Sequence, residues 1–140
     1  MLPQIIIASI CILITLYGVL KKNRVYFNLG YFIFGLLLFV SELNFFWENQ
    51  EIIHLASATL WLVQVCLSIP NKLGYDGSQL AKSAGIKIYA SLSVINFYGI
   101  VIVQYLEVPN VAIYFHALLA VLPIVSIYLI LANKIAITKE

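Results

Sequence analysis

The sequence predicts an all-α integral membrane bundle of five transmembrane helices, N-terminus outside and C-terminus cytoplasmic, with residues 1–140 forming a single transmembrane helical domain. Three observations carry that expectation. The chain is 63% hydrophobic and 10% charged, with a mean hydropathy of +1.01, whereas soluble domains carry about 25% charged residues. Five apolar segments can be cut from it, at about 2–20, 25–46, 52–70, 88–106 and 111–133. Each is near the ~20 residues that a helix needs to cross about 30 Å of hydrocarbon. The basic residues alternate between connections: Lys21, Lys22 and Arg24 follow the first segment, Lys72, Lys82 and Lys87 the third, and Lys134 and Lys139 the fifth. Every one therefore falls on one side of a five-span chain, the cytoplasmic side by the positive-inside rule.

Helices are the expected spanning form, because backbone groups in lipid must be satisfied within the segment. A β-barrel would need short alternating strands, and these runs do not alternate. No positive charge precedes the first segment, KKNR follows it, and no A-x-A-like cleavage site appears, so it is expected to be retained rather than removed as a signal peptide. In lipid, helices associate through small and polar residues, and the first segment carries a stripe of them: Gln4, Ala8, Cys11, Thr15 and Gly18. In the second, Gly35 and Glu42 share a face. The third has the clearest stripe (His54, Ser57, Trp61, Gln64 and Ser68), which suggests a central position for that helix.

Between the third and fourth segments lies NKLGYDGSQLAKSAGIK, where Pro70 closes the preceding helix and Gly74 and Gly77 flank a turn around Asp76. Its SQLAKSAGIK portion reads equally as a short interfacial helix facing anionic lipid or as a flexible connector. In the fourth segment Ser93, Asn96 and Gln104 lie broadly on one side. In the fifth, His116, Ala120 and Pro123 do, and Pro123 is expected to kink the helix while a neighbour satisfies the carbonyl it frees. Tyr26, Tyr31, Trp47, Tyr105 and Tyr114 read as an aromatic belt at the headgroup level. Cys11 and Cys66 both lie inside apolar runs and read as buried free thiols.

Candidate functional residues gather around SELNFFWENQEIIH, residues 41–54, which contains three glutamates and a histidine but no basic residue. Glu42, His54, Gln104 and His116 are expected at similar depth on the non-cytoplasmic side and, with Glu51 of the loop, as the rim of a polar pocket. Ionisable residues within a span are expensive and mark functional candidates. A Glu–His pair could pass protons. Two histidines could ligate haem iron, or with a carboxylate hold a divalent metal, but no HxxxH, HExxH or CxxCH spacing is present, so the cofactor stays open. Deeper in the membrane, Gln64 and Asn96 are expected to fix helix register or to line a solute path.

The net charge of +2 and the absence of a basic patch with interleaved aromatics exclude a nucleic-acid partner. Catalysis has little support, since no Ser–His–Asp motif or glycine-rich phosphate loop occurs. The expected partners are the lipid bilayer and either further copies of the chain or other membrane subunits, in a bacterial inner or an organellar membrane. The leading expectation is a non-enzymatic packing or accessory role in a homo-oligomer or larger membrane complex, intolerant of bulky changes at Gly18 or Gly35. The alternatives are an oligomeric small-solute or ion carrier using Gln64 and Asn96, and a haem- or metal-binding protein using His54 and His116.

Overall fold

The computed structural model describes residues 2–70, 79–106 and 109–132. They form five helices: α1 (Leu2–Leu20), α2 (Arg24–Asn49), α3 (Ile52–Leu67), α4 (Gln79–Tyr105) and α5 (Val111–Leu131). No strand occurs among the described residues. The helices α1, α2, α4 and α5 are long and apolar enough to cross a membrane. The shorter α3 is also apolar, but its 16 residues rise only about 24 Å. The expected turn around Asp76 lies outside the described residues, as do Lys72, Lys134 and Lys139.

Two tight connections set the antiparallel pairing. After α1, Lys22 adopts a left-handed conformation (φ 53°), while its N–H bonds Val19 O and that of Asn23 bonds Gly18 O. These are the two bonds of a Schellman stop. Asn23 then starts α2 at once, its side-chain oxygen accepting from the N–H groups of Val25 and Tyr26. At the opposite end Gln50 is left-handed (φ 58°) and its N–H closes on Phe46 O, so Trp47, Glu48 and Asn49 are helical rather than loop. On the basic side, residues 79–87 are neither a separate interfacial helix nor a connector. They continue without a break into α4, as their run of Gln, Leu, Ala and Lys favours.

Each helix packs on its neighbours in sequence, and α1 meets α5 to close the bundle. The broad contacts are α4 with α5, α2 with α3, and α1 with α2; the seams α3–α4 and α1–α5 are narrower. The structure is thus a three-helix layer set against a two-helix layer, and α3 is not central. Its Leu55, Leu62 and Val63 face outward, and so does Cys66. The α1–α2 contact runs through small residues: a Cβ on Gly30 would stand 2.5 Å from Cys11 O, and one on Gly18 would stand 2.3 Å from Phe27 N. Only glycine permits that approach. Between the layers lies a core that includes Cys11, Phe27, Tyr31, Tyr89, Leu92, Leu119 and Leu122.

Candidate functional site

Proline 123 cannot donate a backbone N–H to Leu119 O, four residues earlier in α5. The Tyr31 hydroxyl, from α2, donates to that carbonyl instead. Tyr31 is therefore no belt residue: it is fully buried, whereas Tyr26, Trp47, Tyr105 and Tyr114 are exposed as a belt requires. A second hydroxyl steadies the same stretch of α5, Ser93 Oγ donating to Ala120 O at 2.7 Å.

From Tyr31 a chain of hydrogen bonds passes round the bundle. Gln64 Nε2 donates to Tyr31 O at 3.2 Å, and Asn96 Nδ2 donates to Gln64 Oε1 at 2.8 Å and to Leu92 O at 2.9 Å. Asn96 Oδ1 then faces His116 Nδ1 at 3.4 Å. The series links α5 to α2, α3, α4 and back to α5, with Tyr31, Gln64 and Asn96 all fully buried. Gly35 and Gly99 make it possible. A Cβ at Gly35 would press on Gln64 at 3.2 Å, and one at Gly99 would stand 2.6 Å from His116 Nδ1 and 2.9 Å from Trp61 Cη2.

On the acidic side of this ring the interior is not filled. A cavity of about 300 Å³ opens between the helices, lined by Gln4, Ile5 and Ala8 of α1, by α2 from Phe34 to Phe45, by Trp61, and by the facing ends of α4 and α5. Its floor is aromatic. The Trp61 and His116 rings stack at 5.1 Å, the Phe34 ring meets His116 edge-on at 5.5 Å, and Trp61 Nε1 is held by Ser57 Oγ at 3.0 Å. The lining on α2 runs from Phe34 to Phe45, eleven residues further on, so the cavity extends about 16 Å along that helix, with Glu42 toward the end away from Phe34.

The rim is acidic. Glu42 Oε2 lies 2.6 Å from His54 Nδ1, and Glu51 Oε2 lies 3.6 Å from His54 Nε2. The Glu42 side chain retains 12% exposure while that of Glu51 retains 61%, so Glu42 is the carboxylate committed to the interior. Two carboxylates thus flank one imidazole at the rim.

The five residues expected around one polar pocket therefore separate. Glu42, His54 and Glu51 meet at the rim, His116 lies in the floor, and Gln104 is exposed outside the cavity lining. The cause is stagger between the two hairpins. From the level of the Gln64–Asn96 bond, α3 runs 12 residues back to Ile52, while α4 runs 9 on to Tyr105 and α5 only 5 from His116 back to Val111. At 1.5 Å per residue these are about 18, 14 and 8 Å, so the α2–α3 hairpin stands above the α4–α5 turn. His54 accordingly lies seven residues, about 10 Å, above the Trp61 on which His116 stacks. Among the described residues no group of three or more His, Cys, Asp or Glu is placed to hold a metal ion. Gln64 and Asn96 do meet, and they bond each other rather than line open space. Comparison of the chain with family models, curated proteins and solved structures finds no match in any of the three.

Proposed function

We propose that this chain is a non-enzymatic integral membrane protein that binds a small, slim, largely apolar molecule in its interior cavity. The single observation that carries the reading is the 300 Å³ void above the Trp61–His116 floor. It reaches the size range of small-molecule sites, about 300–1,000 Å³, and is about twice an apolar cavity of roughly 150 Å³ that holds benzene. A packing role alone, the leading expectation from composition, asks for a filled interior, because packing is what holds helices together in lipid. The bonded Gln64–Asn96 pair closes the bundle beneath the cavity, which favours a site with one mouth over a carrier path. In this reading all five helices cross, the acidic rim faces the non-cytoplasmic side by the placement of the lysines, and the membrane is a bacterial inner or an organellar one.

The test is native mass spectrometry of the chain released gently from its own membrane, beside Ala112→Phe, which projects a ring from α5 into the cavity wall. The expected result is a small adduct on the 15.7 kDa chain that the variant loses while its helical circular dichroism persists. A bare chain that associates only with further copies or other polypeptides would return the protein to a packing role.

A further inference from the structure

The hydrogen-bond ring has a direction, and that direction decides what the cavity floor can recognise. A backbone carbonyl only accepts, so the end of Gln64 that meets Tyr31 O is its NH₂ group. Gln64 Oε1 is thereby turned to Asn96, which answers with its own NH₂ and is held in that sense by a second bond to Leu92 O. Asn96 Oδ1 is left for His116, and since it can only accept, His116 Nδ1 carries the hydrogen. The neutral ring then presents Nε2 as a lone pair. His116 lines the cavity, and its one hydrogen bond among the described residues is at Nδ1. The tautomer is thus dictated from a carbonyl three side chains away.

Away from the floor Glu42 supplies a second acceptor, beside the mixed donor–acceptor groups of Gln4 and Ser41. Glu42 lines the rim with His54 and Glu51 behind it, and no lysine or arginine lies in the lining among the described residues. Between the two ends the wall is almost wholly apolar.

Resting on the ligand-binding reading above, we propose that the cavity selects slim molecules that donate hydrogen bonds, alcohols or amines on an apolar body, and excludes carboxylates and other anions. A donor at the inner end satisfies His116 Nε2, and a hydroxyl or ammonium at the outer end meets Glu42. An anion would face a lone pair at one end and carboxylate oxygens at the other.

The experiment uses the full chain in lipid nanodiscs with Trp47→Phe, which leaves Trp61 in the cavity floor as the reporter. Four probes of matched length are titrated: 1-nonanol, nonylamine, methyl octyl ether and nonanoate, whose chains of roughly 12 Å fit within the cavity. Partition into protein-free nanodiscs is subtracted. Nonanol and nonylamine are expected to change Trp61 emission at concentrations at least about tenfold below the other two, because a buried acceptor left unpaired is costly. Equal response to the ether or to nonanoate would overturn the donor rule while leaving cavity binding intact. Silence from all four would remove both. His116→Phe keeps a ring on Trp61 but no lone pair, and Glu42→Leu removes the outer acceptor, so the double variant is expected to erase the advantage of nonanol over the ether; persistence of that advantage would also overturn the proposal. The four-probe comparison on the native histidine stands independently of how well that variant folds.

Discussion

The bond between Tyr31 and Leu119 makes a prediction about energetic coupling. Tyr31→Phe removes one oxygen and creates no void, so its cost is that of the carbonyl it abandons. Leu119 O has lost its helical donor to Pro123, and both Leu119 and Tyr31 are fully buried. An orphaned buried acceptor costs about 1–3 kcal/mol, and water is absent at this depth to rescue it. In a Pro123→Ala background, residue 123 regains an N–H for the same carbonyl. Tyr31→Phe then forfeits only one hydrogen bond between helices, which averages about 0.6 kcal/mol in membrane proteins. The two substitutions should therefore couple by about 1 kcal/mol or more, beyond the roughly 0.3–0.5 kcal/mol within which independent sites add. The assay is a double-mutant cycle of four proteins, unfolded reversibly in mixed micelles with increasing dodecyl sulfate. A cost of Tyr31→Phe that is the same in both backgrounds would refute the assignment of the hydroxyl to the proline's carbonyl.

Glycine substitutions should rank by what the new methyl meets: Gly30→Ala drives into Thr15 Oγ1 and Cys11 O and is expected to cost about 3 kcal/mol. Gly35→Ala meets only side chains, at 3.2 Å, and should fall within about 1 kcal/mol of the parent in the same micelle assay. Asn96→Leu should cost about 2 kcal/mol, more than the ~1 kcal/mol of Gln64→Leu, because it orphans both Gln64 Oε1 and His116 Nδ1; the order of their unfolding midpoints checks this.

Much of the inward geometry was legible because small and polar residues in lipid have few places to go. The third-segment stripe (His54, Ser57, Trp61, Gln64 and Ser68) could be read from spacing alone, and all five are buried. The need for a donor to the carbonyl freed by Pro123 followed from backbone chemistry, but its identity did not. Tyr31 sits near a segment start, where tyrosines ordinarily mark the headgroups, and nothing local distinguishes it from Tyr26. Equally hidden was the stagger of the hairpins. Distance from a helix end predicts depth only if all ends lie at one level, and that assumption placed His54 and His116 together. A void has no residues of its own, so the cavity could be found only once the register of five helices was known. Reading 79–87 as separate from the fourth span failed for a related reason: lysines near a membrane surface suit the end of a long helix as well as a short one lying flat.

The closing contact between the first and last helices bears on how the chain is made. Synthesis delivers α1 to α4 to the bilayer before α5. At that stage Gln64 and Asn96 can already bond, but the Tyr31 hydroxyl and Asn96 Oδ1 lack their partners, because Leu119 O and His116 both arrive with α5. Polar groups stranded in hydrocarbon are costly and attract whatever can pair with them. A chain short of its fifth helix therefore carries unpaired polar groups in its interior, and the arrival of α5 satisfies them. The same event walls in the cavity, so the proposed binding site is completed only in the last step of assembly.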